Sequence, residues 1–192
     1  VTYKLSTDNK LSINYSANTN LATVINLTNH AYFNLGENDC QSLYLQMMSS
    51  AFLETDAANI PTGKIISISE TDYNFRKPAC IGDRQQNSQD ESLKTKNGYD
   101  HCFTLDSTPF DEPKAVLTSV QNQISLSVYT DQSAIQLYTG FYLSGKFTSY
   151  QGLCLEAQNY TDGENNKHFP SNILQPHQEY QRKIIFGFTT IS

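Results

Sequence analysis

The 192-residue chain lacks both a basic tract and any long apolar run. Lys plus Arg number 13 against 19 Asp plus Glu, a formal charge of −6 that argues against nucleic acid as a partner. The apolar runs are as short as Ile184-Ile185-Phe186, far below the roughly 18 residues that cross a bilayer, so no membrane partner is expected. Cys40, Cys80, Cys102 and Cys154 are scattered with no Cys-x-x-Cys spacing. That spacing suggests neither a zinc site nor a compact disulfide framework, and it leaves free thiols in a reducing cytoplasm as the default. No segment sustains a 3.6-residue apolar period, and no internal repeat is visible.

What the chain does have is strand chemistry. Twelve tyrosines, ten phenylalanines and abundant Thr, Val and Ile favour extended structure. Apolar and polar residues alternate at Val1–Leu5, Leu11–Tyr15, Ile124–Val128 and Ile135–Tyr138. Short strands between Asn, Gly, Asp and Pro turns predict an all-β sandwich or barrel. The length suits one domain, residues 1–192, able to bury about 70% of its unfolded surface. Residues 77–98 lapse into a polar run through Asp83-Arg84-Gln85-Gln86-Asn87, which reads as a long loop, with a short helix inside it as a further option.

His30 closes the strand-like stretch Ile25-Asn26-Leu27-Thr28-Asn29-His30, and an imidazole there is a candidate acid or base. In Leu153-Cys154-Leu155-Glu156-Ala157-Gln158 the alternation turns Glu156 and Gln158 away from Leu153 and Leu155. Gln136 and Tyr138 leave Ile135 and Leu137 in the same way, so neighbouring strands would bring Gln136 and Glu156 to one surface. Asp100 supplies a second carboxylate just before another strand. One imidazole, two carboxylates, an amide and several tyrosines suit sugar binding and proton transfer. Each residue also has a plainer reading: Glu156 as a solvated strand residue, Asp100 as a turn residue, Gln136 as part of an exposed polar face. His101 reads as orienting the Asp100 turn, and His168 and His177 as turn residues.

Taken in order, several blocks resemble the aldose 1-epimerase (galactose mutarotase) family. They are Asn26–Leu35, Ile60-Pro61-Thr62-Gly63, Phe75-Arg76-Lys77-Pro78, Gly98-Tyr99-Asp100-His101, Tyr129–Gln132, Gln136–Gly140, Leu155-Glu156-Ala157-Gln158 and Phe169-Pro170-Ser171. The resemblance implies a large antiparallel β-sandwich with sugar bound across one sheet. It places His30 at the family's general-acid position and Glu156 at its general-base position. Asp100 and Gln136 match positions that hydrogen-bond sugar hydroxyls, and Ala31, Tyr32 and Phe33 would border the same pocket. It implies free aldohexoses, galactose or glucose, as substrates, with no metal, nucleotide or redox cofactor. Two other readings are a sugar-phosphate epimerase of the same superfamily and a non-catalytic carbohydrate-binding sandwich.

The chain opens directly in an alternating pattern at Val1, without methionine or signal peptide, and reads as cut. On the resemblance it is the C-terminal portion of the sandwich. The preceding portion would add an arginine and a second histidine to the pocket. Uncovered strand edges would then call for those residues as a separate chain, or for self-association.

Overall fold

A computed structural model describes residues 1–191. In chain order the strands are β1 (Thr2–Leu5), β2 (Lys10–Ala17), β3 (Thr23–Val24), β4 (Tyr32–Phe33), β5 (Tyr44–Met47), β6 (Ser49–Thr55), β7 (Pro61–Ser67), β8 (Ala79–Cys80), β9 (Asp100–Leu105), β10 (Ala115–Ser119), β11 (Ile124–Thr130), β12 (Ala134–Tyr138), β13 (Leu153–Gln158), β14 (Ile173–Leu174) and β15 (Tyr180–Thr190). Two short helices, α1 (Ile81–Asn87) and α2 (Glu91–Thr95), lie between β8 and β9. One antiparallel sheet runs β1-β2-β15-β11-β10-β5-β8 and the other β4-β13-β12-β9-β6-β7, while β3 and β14 form a separate pair.

The alternation expected from the sequence generates the core. Leu45, Leu117, Leu126, Val128, Ile184 and Phe186 project from the seven-stranded sheet, and Phe103, Ile135, Leu137, Leu153 and Leu155 from the six-stranded one. The two sets meet face to face, as in a sandwich. The opposite parity of the six-stranded sheet is left to carry polar groups. Residues of β1, including Tyr3 and Leu5, stay exposed at the edge of the larger sheet.

Two local expectations are corrected. Residues 77–98 are not a loop throughout. They hold β8 and both helices, with Ile81 and Leu93 buried in the core. Asp90 caps α2 by accepting hydrogen bonds from the Ser92 and Leu93 N–H groups at 2.8 and 3.1 Å. Helices of seven and five residues, each anchored by very few apolar side chains, are too short for a 3.6-residue period to emerge.

The stretch Asn26 to Ala31 lies outside the strands. Its polar side chains pin it to the sheet instead. Thr28 Oγ1 donates to the Ala157 carbonyl at 2.8 Å, and Asn26 Nδ2 donates to the Asn159 carbonyl at 3.1 Å. The Asn159 N–H returns a bond to Asn26 Oδ1 at 2.8 Å, and Gln132 Nε2 donates to the Leu27 carbonyl at 3.1 Å. Side chains of Asn and Thr here take the place of a backbone ladder beside β13.

Candidate active site

Register sets the outward face of the six-stranded sheet. Asp100 on β9 pairs with Tyr138 on β12, Tyr138 with Cys154 on β13, and Cys154 with Tyr32 on β4. These four residues form one row across four strands. In the next row Cys102, Gln136 and Glu156 stand side by side. Paired residues in a sheet share a face, so all seven side chains project together.

Contacts within the rows link the groups. Gln136 Nε2 donates to Asp100 Oδ1 at 2.7 Å. His30 descends onto the face from the pinned segment and sets Nε2 3.5 Å from Glu156 Oε1. Its other nitrogen, Nδ1, lies 3.2 Å from Cys154 Sγ. The Tyr32 ring sits 5.2 Å from the imidazole and the Tyr138 ring 6.5 Å from it, giving the group an aromatic wall. His30 is 54% exposed at its side chain and Glu156 only 11%, so one partner faces solvent while the other is sunk into the sheet. A cavity of about 420 Å³ bordered by Gln132, Asn172 and Tyr180 contains none of these side chains.

Burial pushes the Glu156 carboxyl above the usual range; His30 opposes that rise and Asp100 adds to it. A carboxyl raised in this way is closer in basicity to a proton carrier at neutral pH than an exposed glutamate is. Burial likewise lifts the Tyr32 phenol to about 12, with Cys154 adding to the effect, and lifts Tyr138. Both tyrosines therefore present neutral hydroxyl groups at neutral pH.

The structure thus gathers His30, Glu156, Asp100, Gln136 and Tyr32. Ala31 follows His30 in the pinned segment, its N–H held by Asn29 Oδ1 at 3.1 Å. Phe33 is different. Its ring packs 5.1 Å from Phe186 and 6.3 Å from Phe188, on the side of the core, because it alternates with Tyr32 along β4. Only its backbone is left to border the site.

Sequence reasoning overlooked Cys154. The signal was present: it stands two residues before Glu156, and strand alternation places both on one face.

His101 points inward from β9, as its parity against Asp100 requires. Its Nδ1 accepts the Asp100 N–H at 3.1 Å, which leaves the proton on Nε2, 3.1 Å from Ser92 Oγ and 3.4 Å from Tyr73 Oη. An imidazole with that tautomer cannot take a proton from Ser92, so the group orients structure instead. Burial, with Lys96 assisting, holds the His101 pKa well below 6.5. Below pH 6.5 the unfolded chain then binds a proton that the folded one refuses. Stability is therefore complete above pH 6.5 and falls as pH drops toward the folded-state value, by at most about 1.4 kcal/mol per pH unit from this group. Urea unfolding of His101→Gln across pH 7 to 5 is expected to have a flatter pH dependence than the parent, and an equal slope would count against the assignment.

The comparison with known proteins identifies the fold and family together. A family model described as Aldose 1-epimerase matches residues 1–187. The chain belongs to that family. A galactose mutarotase from Bos taurus is 34% identical over 191 residues, covering 94% of this chain and 54% of the relative. An aldose 1-epimerase from Escherichia coli (strain K12) is 32% identical over 200 residues, covering 98% and 57% respectively. Of solved structures, a galactose 1-epimerase from Lactobacillus acidophilus superimposes with a TM-score of 0.87 at 32% identity, over 99% of this chain and 56% of that one. An aldose epimerase homologue from C. elegans gives a TM-score of 0.88 at 25% identity, over 99% and 59%. The architecture is the galactose mutarotase-like β-sandwich, and the chain spans a little over half the length of these relatives. No helix among the described residues is long and apolar enough to cross a membrane.

Proposed function

We propose that the polypeptide carrying this chain interconverts the α and β anomers of free aldohexoses, galactose and glucose in the first place, by acid and base catalysis. The observation that carries the reading is the 3.5 Å approach of His30 Nε2 to Glu156 Oε1 beside the Gln136–Asp100 pair. Opening a hemiacetal requires removal of the C1 hydroxyl proton and protonation of the ring oxygen. Both oxygens are bonded to the same carbon, so the base and the acid must stand close together. Glu156, buried and of raised basicity, takes the hydroxyl proton, and His30 delivers one to the ring oxygen. The ring bond breaks to give the open-chain aldehyde. Rotation about the C1–C2 bond presents its other face, and closure with proton flow reversed yields the other anomer. Asp100 and Gln136 hold sugar hydroxyls, and Tyr32 and Tyr138 supply flat apolar surface with neutral hydroxyl groups.

A free sugar is favoured over a sugar phosphate by the placement of the arginines. Arg76 pairs with Asp106, Arg84 lies 5.4 Å over the Phe75 ring and Arg182 lies 5.2 Å over the Tyr180 ring. A phosphate would call for such cations at the site. Exposed Tyr3 and Leu5 on edge strand β1 support pairing of that edge with further polypeptide, in the same molecule or a second one.

The test is polarimetry on freshly dissolved α-galactose. The parent protein is expected to accelerate the approach to anomeric equilibrium, and His30→Asn to slow it by about 10²- to 10⁴-fold with galactose binding retained. Near-parent rates in His30→Asn would remove its role as acid. Galactose binding without acceleration by the parent would favour a carbohydrate-binding module.

A further inference from the structure

The three side chains that surround the reacting position share a second property. One donor atom each from His30, Cys154 and Glu156 lies within 4.8 Å of the other two. We propose that they form a binding site for a thiophilic divalent cation, Zn²⁺ above all, and that its occupation blocks the sugar site. The blocking half rests on the acid and base reading of His30 and Glu156; the binding half does not.

The backbone prepares the site. Cys154 and Glu156 are alternate residues of β13, whose ladder to β12 fixes both on the same face. His30 arrives from a separate segment that Asn26 and Thr28 tie to the same strand. The Sγ to Nδ1 separation of 3.2 Å is close to the spacing between thiolate and imidazole ligands of tetrahedral zinc, about 3.5 Å for zinc–sulfur and zinc–nitrogen bonds of about 2.3 and 2.0 Å. Glu156, with a carboxylate oxygen within 4.8 Å of a donor atom on each of the other two, supplies the third protein ligand, and solvent would supply the fourth.

Donor type sets the choice of ion. A thiolate and an imidazole favour zinc over magnesium or calcium, which prefer all-oxygen sites. The sulfur–zinc bond forms as the thiol proton leaves to solvent. Nearby Asp100 adds negative charge, and Tyr32 and Tyr138 wall the site. Two other thiols are turned elsewhere: Cys40 Sγ donates to the Thr139 carbonyl at 3.4 Å, and Cys80 Sγ to the Gln41 carbonyl at 3.2 Å. Bound zinc would take the carboxylate oxygen that proton transfer needs and fill the space between His30, Cys154 and Glu156, so sugar and cation compete.

The experiment uses the tag-free, metal-free polypeptide carrying this chain. Titration with Co²⁺ is expected to produce sulfur-to-cobalt charge-transfer absorption at one ion per chain, bleached by Zn²⁺. Cys154→Ser should abolish that absorption and weaken Zn²⁺ binding, measured against a chromophoric chelator, by about 100-fold. Cys80→Ser should retain both. If Cys154→Ser fails to fold, His30→Asn at its exposed position serves instead, with Zn²⁺ binding weakened at least about tenfold. No charge-transfer absorption in the parent, its survival in Cys154→Ser, or unweakened zinc binding in His30→Asn overturns the site. In the activity arm, Zn²⁺ should raise the KM for galactose and a chelator should restore it. Zinc held through Cys154 with undiminished anomerisation would leave the metal site standing, overturn the blocking, and count against Glu156 as the base.

Discussion

Glu156→Gln is expected to lower kcat for anomerisation by on the order of 10³- to 10⁴-fold while KM for galactose changes little. The amide matches the carboxylate in shape and keeps a hydrogen-bond acceptor toward His30, but it cannot carry away the C1 hydroxyl proton. The loss should be chemical, not structural. Burial disfavours the charged form of Glu156, so a neutral amide removes a cost that the folded state bears at neutral pH. The variant should therefore unfold at no lower urea concentration than the parent. The parent's kcat/KM should also lose its acid limb at a pH above that of an exposed glutamate, and the residual rate of Glu156→Gln should lack that limb. Polarimetry over a pH series checks both points. Retention of more than about a tenth of the parent kcat would remove Glu156 from the role of base.

The grouping of polar side chains on this face is partly readable from alternation alone. Ile135–Tyr138 and Leu153–Gln158 alternate cleanly, and the structure pairs Gln136 directly with Glu156 as that pattern allows. The same pattern, followed one step further, would have placed Cys154 with Glu156 and Phe33 opposite Tyr32. Alternation could not reveal that the segment leading to His30 is no strand. Asn26 and Thr28 satisfy backbone groups of their neighbours through side chains, and such pinning has the same apolar and polar rhythm as a ladder. Nor could it assign chemical roles. A buried carboxylate 3.5 Å from an imidazole is a tertiary fact, and in the sequence the pairing of His30 with Glu156 is legible only through family resemblance.

Phe103→Ala is expected to cost about 3–5 kcal/mol of stability, a large share of the 5–15 kcal/mol typical of a folded domain. Phe103 is fully buried on β9, which β12 and β6 flank. Its ring lies 6.2 Å from Phe52 and 6.3 Å from both Tyr73 and Phe75. Aromatic walls collapse poorly into a vacated space, so the lost burial and the residual cavity add. The urea midpoint should fall with the slope unchanged, and a loss below about 1 kcal/mol would show that the rings close over the gap. The same strand presents Asp100 outward, and its position is set by backbone pairing to Tyr138 and by Gln136. Anomerisation per folded molecule should therefore survive a substitution that removes much of the protein's margin of stability. Glu156→Gln should do the reverse, and the two results together would assign stability to one face of the six-stranded sheet and the proposed chemistry to the other.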